Sequence, residues 1–90
     1  MLQTISLLVS GKVQGVFYRH SAREKARELN LTGTVRNNPD GTVTIVATGE
    51  SGQLDKLVAW SKTGPRAAQV EQVTVQYVAL QSFNSFEVLR

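Results

Sequence analysis

The chain alternates between two hydrophobic periods. Between Gln3 and Ser10, Ile5, Leu7 and Val9 point one way and Thr4, Ser6 and Leu8 the other, the period of two that marks a half-buried strand. From about Ser21 to Asn30 the spacing becomes helical. Tyr18, Ala22, Ala26 and Leu29 fall on one face, and the two alanines would let that helix sit close to a sheet. Thr32 to Asn38, with alternating Thr and Val, predicts a second strand. In Asn38-Pro39-Asp40-Gly41, Pro39 suits the second position of a type I turn and Gly41 accepts the positive φ that follows, so a bulged hairpin is expected. Thr42 to Thr48 returns with Val43, Ile45 and Ala47 on one face. Ser51 can cap a second helix reaching about Lys62, with Leu54, Leu57, Val58 and Ser61 as its stripe and Thr63-Gly64-Pro65 ending it. Val73, Val75 and Tyr77 predict a fourth strand, and Phe86 and Val88 a short fifth.

The order β-α-β-β-α-β-β fits an α+β fold of the ferredoxin-like, split βαβ kind, with one domain over residues 1–90. Two helices would cover one face of a mostly antiparallel sheet, and the face rich in Thr and Gln would meet water. In that topology the first two strands are parallel and the third lies between them. The loop after strand one, Gly11 to Tyr18, then neighbours the end of strand two, Arg36 and Asn37, two strand spacings or about 10 Å away. A small anion and a water would span that gap.

Composition narrows the chemistry. The chain has no cysteine, which excludes disulfides, thiolate nucleophiles and Cys-based metal sites. One histidine and seven scattered acids suggest no metal set, and none is expected. The opening Met1 to Ser10 alternates and lacks a basic flank, so it reads as a strand rather than a signal peptide or membrane span, with the cytoplasm as the expected compartment. Six of the ten basic residues lie between Lys12 and Arg36, against Glu24 and Glu28, a local excess that would attract an anion. For Arg23, Lys25 and Arg27, a solvated helix face is the alternative.

The stretch from Gly11 to Val16 leads from strand to helix. Such a loop can aim successive backbone N–H groups at one point, and the helix N-terminus behind it adds a favourable dipole. Gly15 permits the curvature, and Arg19, at the start of the helix, has a fork suited to two phosphate oxygens. An ordinary turn is the competing reading, because neither a P-loop nor a dinucleotide fingerprint is present. His20 is the one side chain that invites a general-base reading, but nothing completes a triad around it, and it reads as an exposed helix residue. Tyr18 reads as core with its hydroxyl near the rim, Trp60 as packing, and Asn37 and Asn38 as simple turn formers.

Gly11 to Arg19, GKVQGVFYR, resembles the acylphosphatase signature G-x-V-Q-G-V-x-[FY]-R, and Gly33 to Gly49 resembles the second signature of that family. Gly33, Val35, Arg36, Asn37, Gly41, Val43 and Gly49 fall in register with it, although Thr34 stands where an aromatic residue is usual. The resemblance implies a ferredoxin-like fold and hydrolysis of acyl phosphates to a carboxylate and inorganic phosphate, without metal or cofactor. It places the catalytic Arg on Arg19, the catalytic Asn on Asn37, and the phosphate-binding loop on Gly15, Val16, Phe17, Tyr18 and Arg19. The expected partners are an acyl phosphate substrate and inorganic phosphate as product and inhibitor, on a monomer that binds neither membrane nor nucleic acid. Two rivals are an RNA-binding sheet, weakened by the lack of aromatics on strands one and three, and an acylphosphatase-like domain of a larger carbamoyl-transferring protein.

Overall fold

The computed structural model describes residues 1–90. The elements are β1 (Leu2–Lys12), α1 (Tyr18–Glu28), β2 (Thr32–Asn37), β3 (Val43–Glu50), α2 (Ser51–Ser61), β4 (Gln69–Val78) and β5 (Phe86–Val88). They form one five-stranded sheet in the order β4-β1-β3-β2-β5. All pairs are antiparallel except β2 with β5. Because β3 lies antiparallel to both β1 and β2, those two strands run the same way and their C-terminal ends share one edge of the molecule, as the split βαβ order predicts.

The alternation along the strands becomes the core. Ile5, Leu7 and Val9 of β1, Val35 of β2, Val43, Ile45 and Ala47 of β3 and Phe86 of β5 are buried under Ala22, Ala26 and Leu29 and under Leu54 and Leu57 of α2. Each fully buried Leu, Ile or Val contributes about 1.5–3 kcal/mol relative to exposure. With only methyl groups at Ala22 and Ala26, α1 lies close over the sheet and so carries its first turn to the ends of β1 and β2.

Ser51, expected to cap the second helix, is instead the first residue of α2: the N-cap is Glu50, and no side chain caps the helix. Three further features of the fold depart from the sequence reading. First, β1 continues to Lys12 instead of stopping at Ser10, because β4 keeps pairing with it beyond a register shift at Ser10/Gly11. Gly11 has φ +117, and a Cβ there would stand 2.2 Å from the Gln69 carbonyl oxygen, so glycine alone fits. Second, α1 begins at Tyr18 rather than near Ser21, because Phe17 turns the chain in the left-handed region (φ 62, ψ 23) and its carbonyl accepts the Ser21 N–H at 3.0 Å. Third, the face opposite the helices is roofed at one end. Thr4 is 1% exposed: its Oγ1 accepts the Gln81 N–H at 2.9 Å, while Thr48 Oγ1 donates to the Gln81 carbonyl at 2.9 Å.

The Asn38–Gly41 turn takes the expected form. Gly41, at φ +94, donates its N–H to the Asn38 carbonyl at 3.1 Å, and the Asn38 N–H reaches the Thr42 carbonyl at 2.8 Å. Asp40 accepts both the Thr42 hydroxyl and the Thr42 N–H, and these hydrogen bonds hold its carboxyl below its usual range. At the far side of the sheet, β4 has no neighbour on its outer edge. Val75 and Tyr77 sit across from Leu7 and Ile5, yet α2 leaves them uncovered, with Tyr77 64% exposed. No helix is long and apolar enough to cross a membrane.

Candidate active site

The loop between β1 and α1 is held at both ends before it turns. Val13 is buried in the core, and Gln14 Nε2 donates to the carbonyls of Asn38 at 2.8 Å and Thr42 at 2.9 Å. That amide ties the loop to the β2–β3 turn. Beyond it, positive φ occurs at Gly15 (73) and Phe17 (62), whereas Gln14, Val16 and Tyr18 are not among the positive-φ residues. This alternation of hand turns successive N–H groups toward a common side, the geometry of an anion-binding nest. The backbone N–H groups of residues 15 to 20 have no acceptor in the protein. No side chain caps α1 and no acid occupies its first turn, so its dipole is left free to favour an anion.

Of the residues expected around phosphate, Val16 and Tyr18 have side chains in the core, so only their backbone can face an anion. The Tyr18 hydroxyl is not at the rim. It lies buried, donating to the Ser61 carbonyl at 2.8 Å, with the ring 5.4 Å from that of Trp60. Burial pushes its pKa above the ordinary tyrosine value. Phe17 is the reverse, 79% exposed at the mouth. Its left-handed backbone is costly for an aromatic residue.

Arg19 is half-buried, and its Nη1 donates to the Leu89 carbonyl at 2.9 Å, just past β5. Asn37, the last residue of β2, shares the helix-facing side of its strand with Val35. Its Oδ1 is buried and has no hydrogen-bond partner. Arg36, expected as a neighbour of the loop along with Asn37, points to the opposite face and is exposed, because side chains alternate along a strand. Asn38 is a turn former: its Nδ2 donates to Thr42 Oγ1 at 2.9 Å and Thr44 Oγ1 at 2.8 Å.

Gly15, Phe17, Arg19 and Asn37 line one cavity of about 510 Å³. Arg23, Val88 and Arg90 also line it, and sequence reasoning did not place them there. The spacing of Arg19 and Arg23, one helical turn apart, was the available signal. His20 is exposed and stands at the wall of this cavity, with Nδ1 3.4 Å from Arg23 Nη2. No three His, Asp or Glu side chains come close enough together to hold a metal ion.

Residues 5–88 match the family model described as Acylphosphatase. The chain belongs to the acylphosphatase family. It is 52% identical over 86 residues to an acylphosphatase of Acaryochloris marina, covering 96% of this chain and 92% of that one. It is 58% identical over 81 residues to an acylphosphatase of Marinobacter nauticus, covering 89% and 88%. The solved acylphosphatase of Coxiella burnetii superposes with a TM-score of 0.95 at 42% identity, over 98% of this chain and 93% of that one. The activity that goes with this membership is hydrolysis of acyl phosphates, and the five-stranded sheet with two helices on one face is the fold of these relatives.

Proposed function

We propose that the β1–α1 loop and Arg19 hold the phosphoryl group of an acyl phosphate and that Asn37 orients the attacking water. The observation that carries this reading is one shared cavity. It brings together a row of N–H groups without acceptors, a guanidinium, and an amide whose oxygen has no protein partner.

The chemistry asks little of the protein. An acyl phosphate is a mixed anhydride, and its leaving group is a carboxylate that is stable without a proton. Water attacks phosphorus, a new P–O bond forms, and the P–O bond to the acyl group breaks with its electron pair leaving on the carboxylate. One proton of the water ends on inorganic phosphate, with the phosphate's own oxygen as its acceptor. No protein nucleophile or strong general acid is needed. Catalysis then rests on alignment and on stabilising charge on the phosphoryl oxygens. Inorganic phosphate, which presents the same oxygens, competes for the cradle. No role falls to His20 in this scheme.

Hydrolysis of benzoyl phosphate by the purified protein tests the reading. Activity should persist in EDTA and be inhibited competitively by inorganic phosphate. In isotopically labelled water the new oxygen should appear in phosphate. Label in benzoate would place the attack at the carbonyl carbon and overturn the scheme, as would a strict metal requirement.

A further inference from the structure

Arg19, Arg23 and Arg27 repeat every fourth residue and so form one stripe along α1. The stripe faces the C-terminal strand. Arg19 Nη1 donates to the Leu89 carbonyl at 2.9 Å, and Arg27 Nη2 donates to the Phe86 carbonyl at 3.2 Å. These two contacts strap the helix to the edge of the sheet. Arg23, between them, has no carbonyl acceptor, and its Nη2 lies 3.4 Å from His20 Nδ1. Its Nε is buried without a hydrogen-bond partner and lies 3.5 Å from Glu24 Oε2, a carboxylate that is mostly in water. A buried guanidinium N–H without an acceptor is costly, and a ligand oxygen would relieve that cost. Arg23 also lines the catalytic cavity, as does Arg90. Glu87, the one acid in that wall, already accepts the Ser85 hydroxyl.

We infer that Arg23 forms a second anion subsite, which favours acyl phosphates carrying a further negative group on the acyl part. This inference rests on the proposed placement of the phosphoryl group at Arg19. Four residues of helix separate the two guanidinium stems by about 6 Å along the axis. An acyl chain of two methylene groups ending in a carboxylate covers that span. Its far carboxylate meets the fork of Arg23 as its phosphoryl group fills the cradle.

Succinyl phosphate and butyryl phosphate test this, because they have the same chain length and differ in the terminal carboxylate. The readout is the ratio of their kcat/KM values within each protein, which is independent of the fraction of folded enzyme. At low ionic strength the native chain should favour succinyl phosphate by about tenfold, the scale of one charge-assisted hydrogen bond. Added salt should shrink the preference. R23M should bring the ratio close to unity, Arg23→Lys should leave part of it, and Arg23→Glu should invert it. A native ratio near unity, or an R23M ratio equal to the native one, overturns the subsite while leaving the hydrolase reading intact. Failure of the native chain to hydrolyse either compound overturns both.

Discussion

Arg19 Nη1 reaches the carbonyl of Leu89 at 2.9 Å, a contact between residues 70 positions apart in the chain. The guanidinium is thus aimed by main chain rather than by another side chain, and β5, only three residues long, acts as its support. Truncation after Val88 removes that acceptor while sparing the core residue Phe86. It should lower kcat/KM for benzoyl phosphate by about tenfold or more, the scale of a lost hydrogen bond to a charged group. Arg19→Ala should raise KM and lower kcat together, and Arg19→Lys should not rescue, because an ammonium cannot hold the carbonyl and two phosphoryl oxygens in the same plane. Steady-state kinetics on the three proteins check this, and full activity in the truncated form would deny β5 its supporting part.

Asn37 should separate activity from stability. By analogy with a lost oxyanion donor, Asn37→Ala should lower kcat by roughly 10²-fold or more, with inhibition by phosphate nearly unchanged. The same change deletes a buried oxygen that has no protein partner. Urea unfolding should therefore show stability that is unchanged or higher by about 1 kcal/mol. Near-normal turnover, or a large loss of stability, would show that the amide is structural.

Phe17 lends itself to a backbone test. Its φ of 62 is available to glycine without strain and is costly for any residue with a Cβ. Phe17→Gly should be more stable than Phe17→Ala by about 1 kcal/mol, a comparison that removes the same ring in both. Equal urea midpoints would mean that the loop relaxes out of the left-handed turn when the ring is lost.

Tyr18 predicts a pH dependence. Burial raises the pKa of its hydroxyl in the folded state above the unfolded value of about 10. Below that pH both states keep the proton and the contribution is fully present. As pH rises beyond it, the unfolded state ionises first, so stability falls. Tyr18→Phe also loses the hydrogen bond to Ser61, and should cost about 1–2 kcal/mol near neutrality. Measured by urea unfolding, the gap between the native protein and Tyr18→Phe should narrow above about pH 10. A gap that does not change with pH would contradict the burial of the hydroxyl.

What could be read from the sequence was whatever the core dictates locally. Ile5, Leu7 and Val9 announce a strand by alternation alone, and Ala22, Ala26 and Leu29 announce a helix face. The topology then places Arg19 and Asn37 at one edge before any side chain is seen. The departures each depend on distant partners. The extension of β1 through Lys12 needs β4 to bulge opposite Gly11, and the burial of Thr4 needs Gln81, 77 residues later. The early start of α1 follows from a left-handed Phe17, a conformation that no hydrophobic period encodes. Arg23 was hidden differently. In the sequence it looks like one charge among several on a solvated face, and only the unequal pairing of Arg19, Arg23 and Arg27 with β5 distinguishes it.

The two borders of the sheet are treated unequally. β5 is covered by the arginines of α1, whereas β4 presents ten residues with an open outer side and a single acid, Glu71, among them. A long uncovered row of N–H and C=O groups beside exposed Val75 and Tyr77 is a template for edge-to-edge pairing. Aggregation of this chain, when it comes, should therefore begin at β4, on the opposite border from the cavity that Arg19 and Asn37 line, and a lysine at an outward-facing position there should slow it without touching that cavity.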